Sequence, residues 1–183
     1  MSILTEEPAE FLVVDGVPYT IRTDFRVWLA IGEIFRDEGL SPQQKLVRAL
    51  SLCYSREALP PTVSDAVGGM LDFYRGAARK DGARGGEQRE PVLDFSQDAP
   101  LLYAAFLTQY GIDLSRDSLH WHRFRALLSG LSPEHRICQV MGYRSVDLST
   151  ISDKKKKAFY RKMKRLYAIS KEQDVAAALS ELF

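Results

Sequence analysis

The sequence predicts a mainly α protein: a compact multi-helix domain with a small N-terminal β-hairpin. Three observations carry this. Apolar residues recur at three- and four-residue spacing along most of the 183-residue chain, the period of a helix face. Several of these segments open on Ser, Thr or Asp and close on Gly, the residues that start and stop helices. Only Phe11 to Arg22 breaks the pattern, with β-branched runs on both sides of Asp15-Gly16, a pair suited to the φ > 0 of a tight hairpin turn.

A lone hairpin is marginal in water, so this one must pack on something. A helix follows from Thr23 or Asp24, with Phe25, Trp28, Leu29, Ile31, Ile34 and Phe35 as its apolar face and Gly39 as its stop. Ser41-Pro42-Gln43-Gln44 opens the next: Ser as cap, Pro in the first turn, and Gln three residues on to close a capping box. Leu46, Val47, Leu50 and Cys53 line its inner side. After Leu59-Pro60-Pro61 a third helix starts at Thr62, with Val63, Val67, Met70, Leu71 and Tyr74 inward, weakened by Gly68-Gly69.

Gly76 to Pro91 holds four glycines and seven charged residues and reads as a flexible loop. It divides an N-terminal hairpin-plus-helices part from a C-terminal helical part of a single domain, 1–183. Asp98 caps the next helix, Ala99 to Tyr110, which is apolar nearly all round and is expected to be buried on several sides. Gly111 ends it. A helix after Ser115 or Ser118 presents Trp121, Phe124, Leu127, Leu128 and Leu131. Ser132-Pro133-Glu134 opens a short helix carrying Ile137, Val140 and Met141. Ser152 caps a long basic helix to about Ile169, and Val175, Leu179, Leu182 and Phe183 form a last short stripe.

The formal net charge is +1, but it is unevenly placed. Glu6, Glu7, Glu10 and Asp15 precede the first basic residue, Arg22, whereas Arg144 to Lys171 holds ten basic residues against Asp147 and Asp153. This asymmetry suggests a partner, or a second copy of the chain in a homo-oligomer. Cys53 and Cys138 sit among apolar neighbours without CxxC spacing and read as buried free thiols of a reducing compartment. Acids where a signal peptide has its basic region, and no apolar run of ~20 residues, point to the cytoplasm and away from a membrane.

The basic helix is the candidate site. Lys154, Lys157, Arg161, Lys164 and Arg165 recur at three- and four-residue spacing and form a stripe, with Phe159, Met163, Leu166 and Tyr167 expected on the core side. Such a stripe suits a solvated helix face, an acidic protein surface, or the phosphates of a nucleic acid. His120 and His122, two apart on a helix, point away from each other and are not expected to share a metal. Gly82, Gly85 and Gly86 lack the Gly-Lys-Ser/Thr of a phosphate loop. No nucleophile elbow or Cys/His signature is present, so neither catalysis nor a cofactor is expected.

Three blocks, Asp98–Leu114 (DAPLLYAAFLTQYGIDL), Leu119–Leu131 (LHWHRFRALLSGL) and Asp147–Ile169 (DLSTISDKKKKAFYRKMKRLYAI), resemble the bacteriophage gene-product-fifteen family of long-tailed phages and prophages. The Phe11–Arg22 hairpin and the Asp24–Phe35 helix fit the same family. The resemblance implies a small helical tail assembly chaperone in the cytoplasm of the bacterial host. It implies the tape measure protein and the tail tube protein as partners, and no catalytic or cofactor residues. The other readings are a nucleic-acid-binding protein using the Lys154–Arg165 helix and a structural tail component.

Overall fold

A computed structural model describes residues 7–14, 16–55, 59–76 and 91–169. It is mainly α with one antiparallel hairpin, β1 (Phe11–Val14) and β2 (Val17–Thr20), in which Phe11 faces Thr20 and Val14 faces Val17. Gly16 turns the hairpin with φ of 80°; its expected turn partner Asp15 lies outside the described residues. So do the acids at position 6, most of the 76–91 loop and the stripe from Val175 to Phe183. The chain forms two compact units. The first holds the described residues up to 76 together with Leu114–Gly130; the second holds 91–113 and 131–169. The partition therefore does not follow the 76–91 segment alone, because the chain returns to the first unit for one helix.

That helix, α5 (Trp121–Ser129), completes a core built with α1 (Phe25–Arg36), α2 (Pro42–Cys53) and α3 (Val63–Arg75). Asp24 caps α1 by accepting the Arg26 amide at 2.9 Å. Ser41 and Gln44 form the expected reciprocal capping box of α2. Trp28 lies at the centre, its ring 4.7 Å from that of Phe73 and 6.3 Å from that of Trp121, while Phe25 and Phe124 stack at 4.6 Å. The chain entering α5 is tied to the start of α1: the Phe25 amide donates to the Leu119 carbonyl at 2.9 Å and the Trp121 amide to that of Thr23 at 2.7 Å.

Several faces differ from expectation. On α3 the buried residues are Ala66, Met70 and Phe73, whereas Val63, Leu71 and Tyr74 are exposed. The helix is rotated because the hairpin rests on Gly69. A Cβ there would lie 3.2 Å from Leu12 Cδ1 and 3.0 Å from the Tyr54 hydroxyl. That hydroxyl donates to the Ala66 carbonyl at 2.8 Å. Phe35 and Val47 are likewise exposed near the ends of their apolar faces. α5 begins after Ser118, at Trp121, and is capped by His120.

In the second unit α4 (Ala99–Tyr110) packs on α6 (Arg136–Ser145), burying Phe106, Ile137 and Val140 completely. A short 3₁₀ turn, Leu148–Thr150, leads to α7 (Lys154–Leu166). α4 ends at Gly111 in the left-handed conformation, as its sequence predicts. It is not buried on several sides: Leu102, Ala105 and Phe106 face inward and Leu107 is exposed. Asp98 stands at the N-cap but makes no capping bond. Its carboxylate is instead taken up by Arg144, which gives it two hydrogen bonds, at 2.5 and 2.9 Å. Arg144 also donates to the Val92 carbonyl at 3.1 Å and to that of Tyr167 at 2.5 Å, so one guanidinium joins four stretches of this unit.

Candidate functional site

α7 begins at Asp153, whose carboxylate accepts the Lys156 amide at 2.7 Å; the cap is thus one residue later than the predicted Ser152. Four lysines crowd the first turn, where the helix dipole already places partial positive charge, so the capping carboxylate offsets a real repulsion. A second carboxylate, Asp147, lies close by. Hydrogen bonds from Ser149, and then the charges of Lys164 and Lys157, hold it below its ordinary value.

No residue of α7 is fully buried. It rests on α6 through aromatic rings. Tyr143 stacks on Tyr167 at 5.8 Å and lies tilted 6.3 Å from Tyr160. Arg136 sits 5.0 Å over the Tyr167 ring and donates to its hydroxyl. The inward side is therefore Lys157, Tyr160, Lys164 and Tyr167, each partly buried. Lys164 donates to the Val146 carbonyl at 3.4 Å.

This inverts part of the predicted pattern. Of the five stripe residues, Lys154, Arg161 and Arg165 are exposed, while Lys157 and Lys164 lie on the packed side. Phe159 and Leu166, expected in the core, are 50% and 63% exposed. The rings of Phe159 and Tyr143 meet edge to face at 6.2 Å, and Met163 is half-buried. Phe159, Met163 and Leu166 stand at i, i+4 and i+7, so they form one open apolar seam. Lys155 and Lys162 flank it on the solvent side, each one turn before an apolar residue. The predicted stripe does not include these two; the seven-residue repeat they share with Phe159 and Leu166 is the signal in the sequence. Among the described residues none of Lys154, Lys155, Arg161, Lys162 and Arg165 makes an ion pair.

A family model described as "Bacteriophage Gp15 protein" matches residues 9–169. The chain belongs to the bacteriophage Gp15 protein family. No curated protein and no solved structure matches it. The Gp15 match runs from the residues preceding β1 to just past α7, so it takes in the hairpin, every helix described and the whole open seam.

The histidines are arranged differently from a helical projection. His120 has extended backbone as the cap of α5, and its ring meets that of His122 edge to face at 5.1 Å. Their nitrogens are engaged in the fold. His120 Nδ1 accepts the His122 amide at 3.1 Å, its Nε2 lies 3.3 Å from the Ala9 carbonyl, and His122 Nε2 lies 2.7 Å from that of Phe73. No group of three or more His, Cys, Asp or Glu suited to a metal occurs among the described residues. Among the same residues no helix is long and apolar enough to cross a membrane.

Proposed function

We propose that this protein is a phage tail assembly chaperone, non-catalytic, that binds the tape measure protein and helps recruit tail tube subunits. Membership of a bacteriophage family supports the setting. The observation that carries the reading is the open seam of α7, where two large apolar side chains stand in solvent amid cations that make no ion pair among the described residues. A tape measure is a long helical chain whose apolar stripes aggregate until the tube encloses them. A protein that covers such stripes needs an apolar seam for an amphipathic helix, and contacts weak enough to be released and repeated along the target.

The test is co-expression with the tape measure protein of the same phage. The expected result is that the tape measure stays soluble with the wild type and precipitates with a Phe159→Ser, Leu166→Ser variant whose circular dichroism is unchanged. A tape measure equally insoluble with and without the protein would overturn the reading. So would recovery of the protein in purified virions, which assigns a structural role. Steep salt-dependent binding to duplex DNA of any sequence, with no effect on tape measure solubility, would assign the cations to phosphates.

A further inference from the structure

We infer that the seam of α7 takes an amphipathic helix whose apolar stripe is flanked by carboxylates, and that Lys155 and Lys162 select it. The inference rests on the chaperone reading for its biological setting and on the geometry of α7 for its chemistry. The apolar residues repeat at four, three and seven residues, which is the spacing that meshes with a second helix running alongside. Met163, between Phe159 and Leu166 along the seam, suits a partner of varied sequence, because its unbranched chain repacks easily. One flank of the seam is closed by the edge-to-face contact of Tyr143 with Phe159. The open flank carries Lys155 and Lys162, both exposed, at the repeat where helix pairs place their charge contacts.

Charge then decides among occupants. Residues 154–166 contain eight basic side chains and no acid. A second copy's α7 laid on the seam would set lysine against lysine, which disfavours self-pairing here. A nucleic acid backbone would satisfy the cations but leave Phe159 and Leu166 without an apolar partner. A helix with an apolar stripe and glutamates beside it satisfies both. The contact is small, so it is weak singly and gains strength from repetition along a long target.

The experiment uses the full chain and two synthetic helical peptides that share one leucine stripe, the first with glutamates beside it and the second with lysines. Fluorescence anisotropy is expected to show the glutamate peptide binding at least about tenfold tighter, with the gap narrowing as salt rises and screens the charges. A Lys155→Glu, Lys162→Glu variant should reverse the preference, and Phe159→Ser with Leu166→Ser should abolish binding of both peptides. Equal binding of the two peptides, or a charge swap that leaves the preference unchanged, overturns the assignment. Binding that appears only after residues 171–183 are removed also overturns it, giving the seam to the chain's own C-terminal segment. So does duplex DNA that binds through Lys155 and Lys162 while neither peptide does. Peptide binding fails independently of the tape measure solubility assay. Loss of the first with retention of the second removes only this partner chemistry.

Discussion

Arg144 grips Asp98 through two hydrogen bonds with both side chains almost wholly out of water, 5% and 3% exposed. Buried charges of this kind are costly to separate, since removing one partner strands the other. Arg144→Met is expected to destabilise the protein by about 3–5 kcal/mol, read from urea melts. Arg144→Lys should recover little, because an ammonium cannot reproduce the planar fork. Adding Asp98→Leu to Arg144→Met should restore part of the loss. The carbonyls of Val92 and Tyr167 would still lack their donor. A single variant as stable as wild type would show that the pair is not a keystone of this unit.

Phe106 is completely buried in the same unit. Phe106→Ala is expected to cost about 3–5 kcal/mol, as other large core truncations do. A loss below about 1 kcal/mol in a chemical melt would mean the cavity collapses or the ring is not held there.

The adjacent glycines of α3 should respond in opposite directions. Nothing lies within 4 Å of a Cβ on Gly68, so Gly68→Ala should stabilise the helix by up to about 1 kcal/mol. Gly69 is pressed against Leu12 and Tyr54. Gly69→Val should cost about 1–3 kcal/mol by forcing the hairpin off the helix. Thermal melts of the two variants, measured side by side, check the contrast.

His120 makes the fold sensitive to acid. Burial holds its pKa below 6.5; the hydrogen bond to the Ala9 carbonyl opposes this, the neighbouring charges of His122 and Arg123 add to it, and Glu10 opposes it least. The ring must also be neutral to accept the His122 amide at Nδ1. The folded state therefore binds fewer protons here than the unfolded chain. The stabilisation is fully present above pH 6.5 and is lost as pH falls through the depressed folded value. His120→Asn keeps a capping acceptor without the titration, so its stability should vary less between pH 7 and pH 5. Urea melts at the two pH values that show the same slope for both proteins would sink the idea.

The thiols should be poorly reactive. Burial pushes Cys53 up to about 12 from 9.0 and also raises Cys138. At pH 8 Cys53 carries about three orders of magnitude less thiolate than a thiol at its ordinary value, and the thiolate is the reacting form. Alkylation of native protein should spare Cys53 until denaturant is added, as peptide mass mapping will show.

The parts of this fold legible in the sequence were those decided locally. Ser41 and Gln44 announce their capping box because both halves are in one turn, and Gly111 marks a helix end because few other residues adopt its φ. Asp98 shows the limit. Its position at a helix start was readable, but its role depends on an arginine 46 residues away. On α3 Met70 is buried as its spacing predicts, but Val63, Leu71 and Tyr74 are not, because Gly69, with no side chain, is the point of closest approach and apolar spacing does not mark it. On α7 the spacing marks the cations but not which of them face outward. The rule that large apolar residues face inward failed because the surface offered by α6 is Tyr143 and Arg144. The rings of Tyr160 and Tyr167, with their polar tips, and the alkyl stems of Lys157 and Lys164 cover such a surface.

The return of α5 to the first unit also sets an order of synthesis. Trp121 and Phe124 close the core around Trp28 and Phe25, yet they are encoded after the whole of α4, which belongs elsewhere. A nascent chain leaving the ribosome holds its first three helices with one wall missing until Gly130 has emerged. During that interval Trp28 and Phe73 have only partial cover. A stop shortly after α3 should therefore yield a fragment that aggregates instead of a smaller folded protein, since its core lacks the residues that seal it.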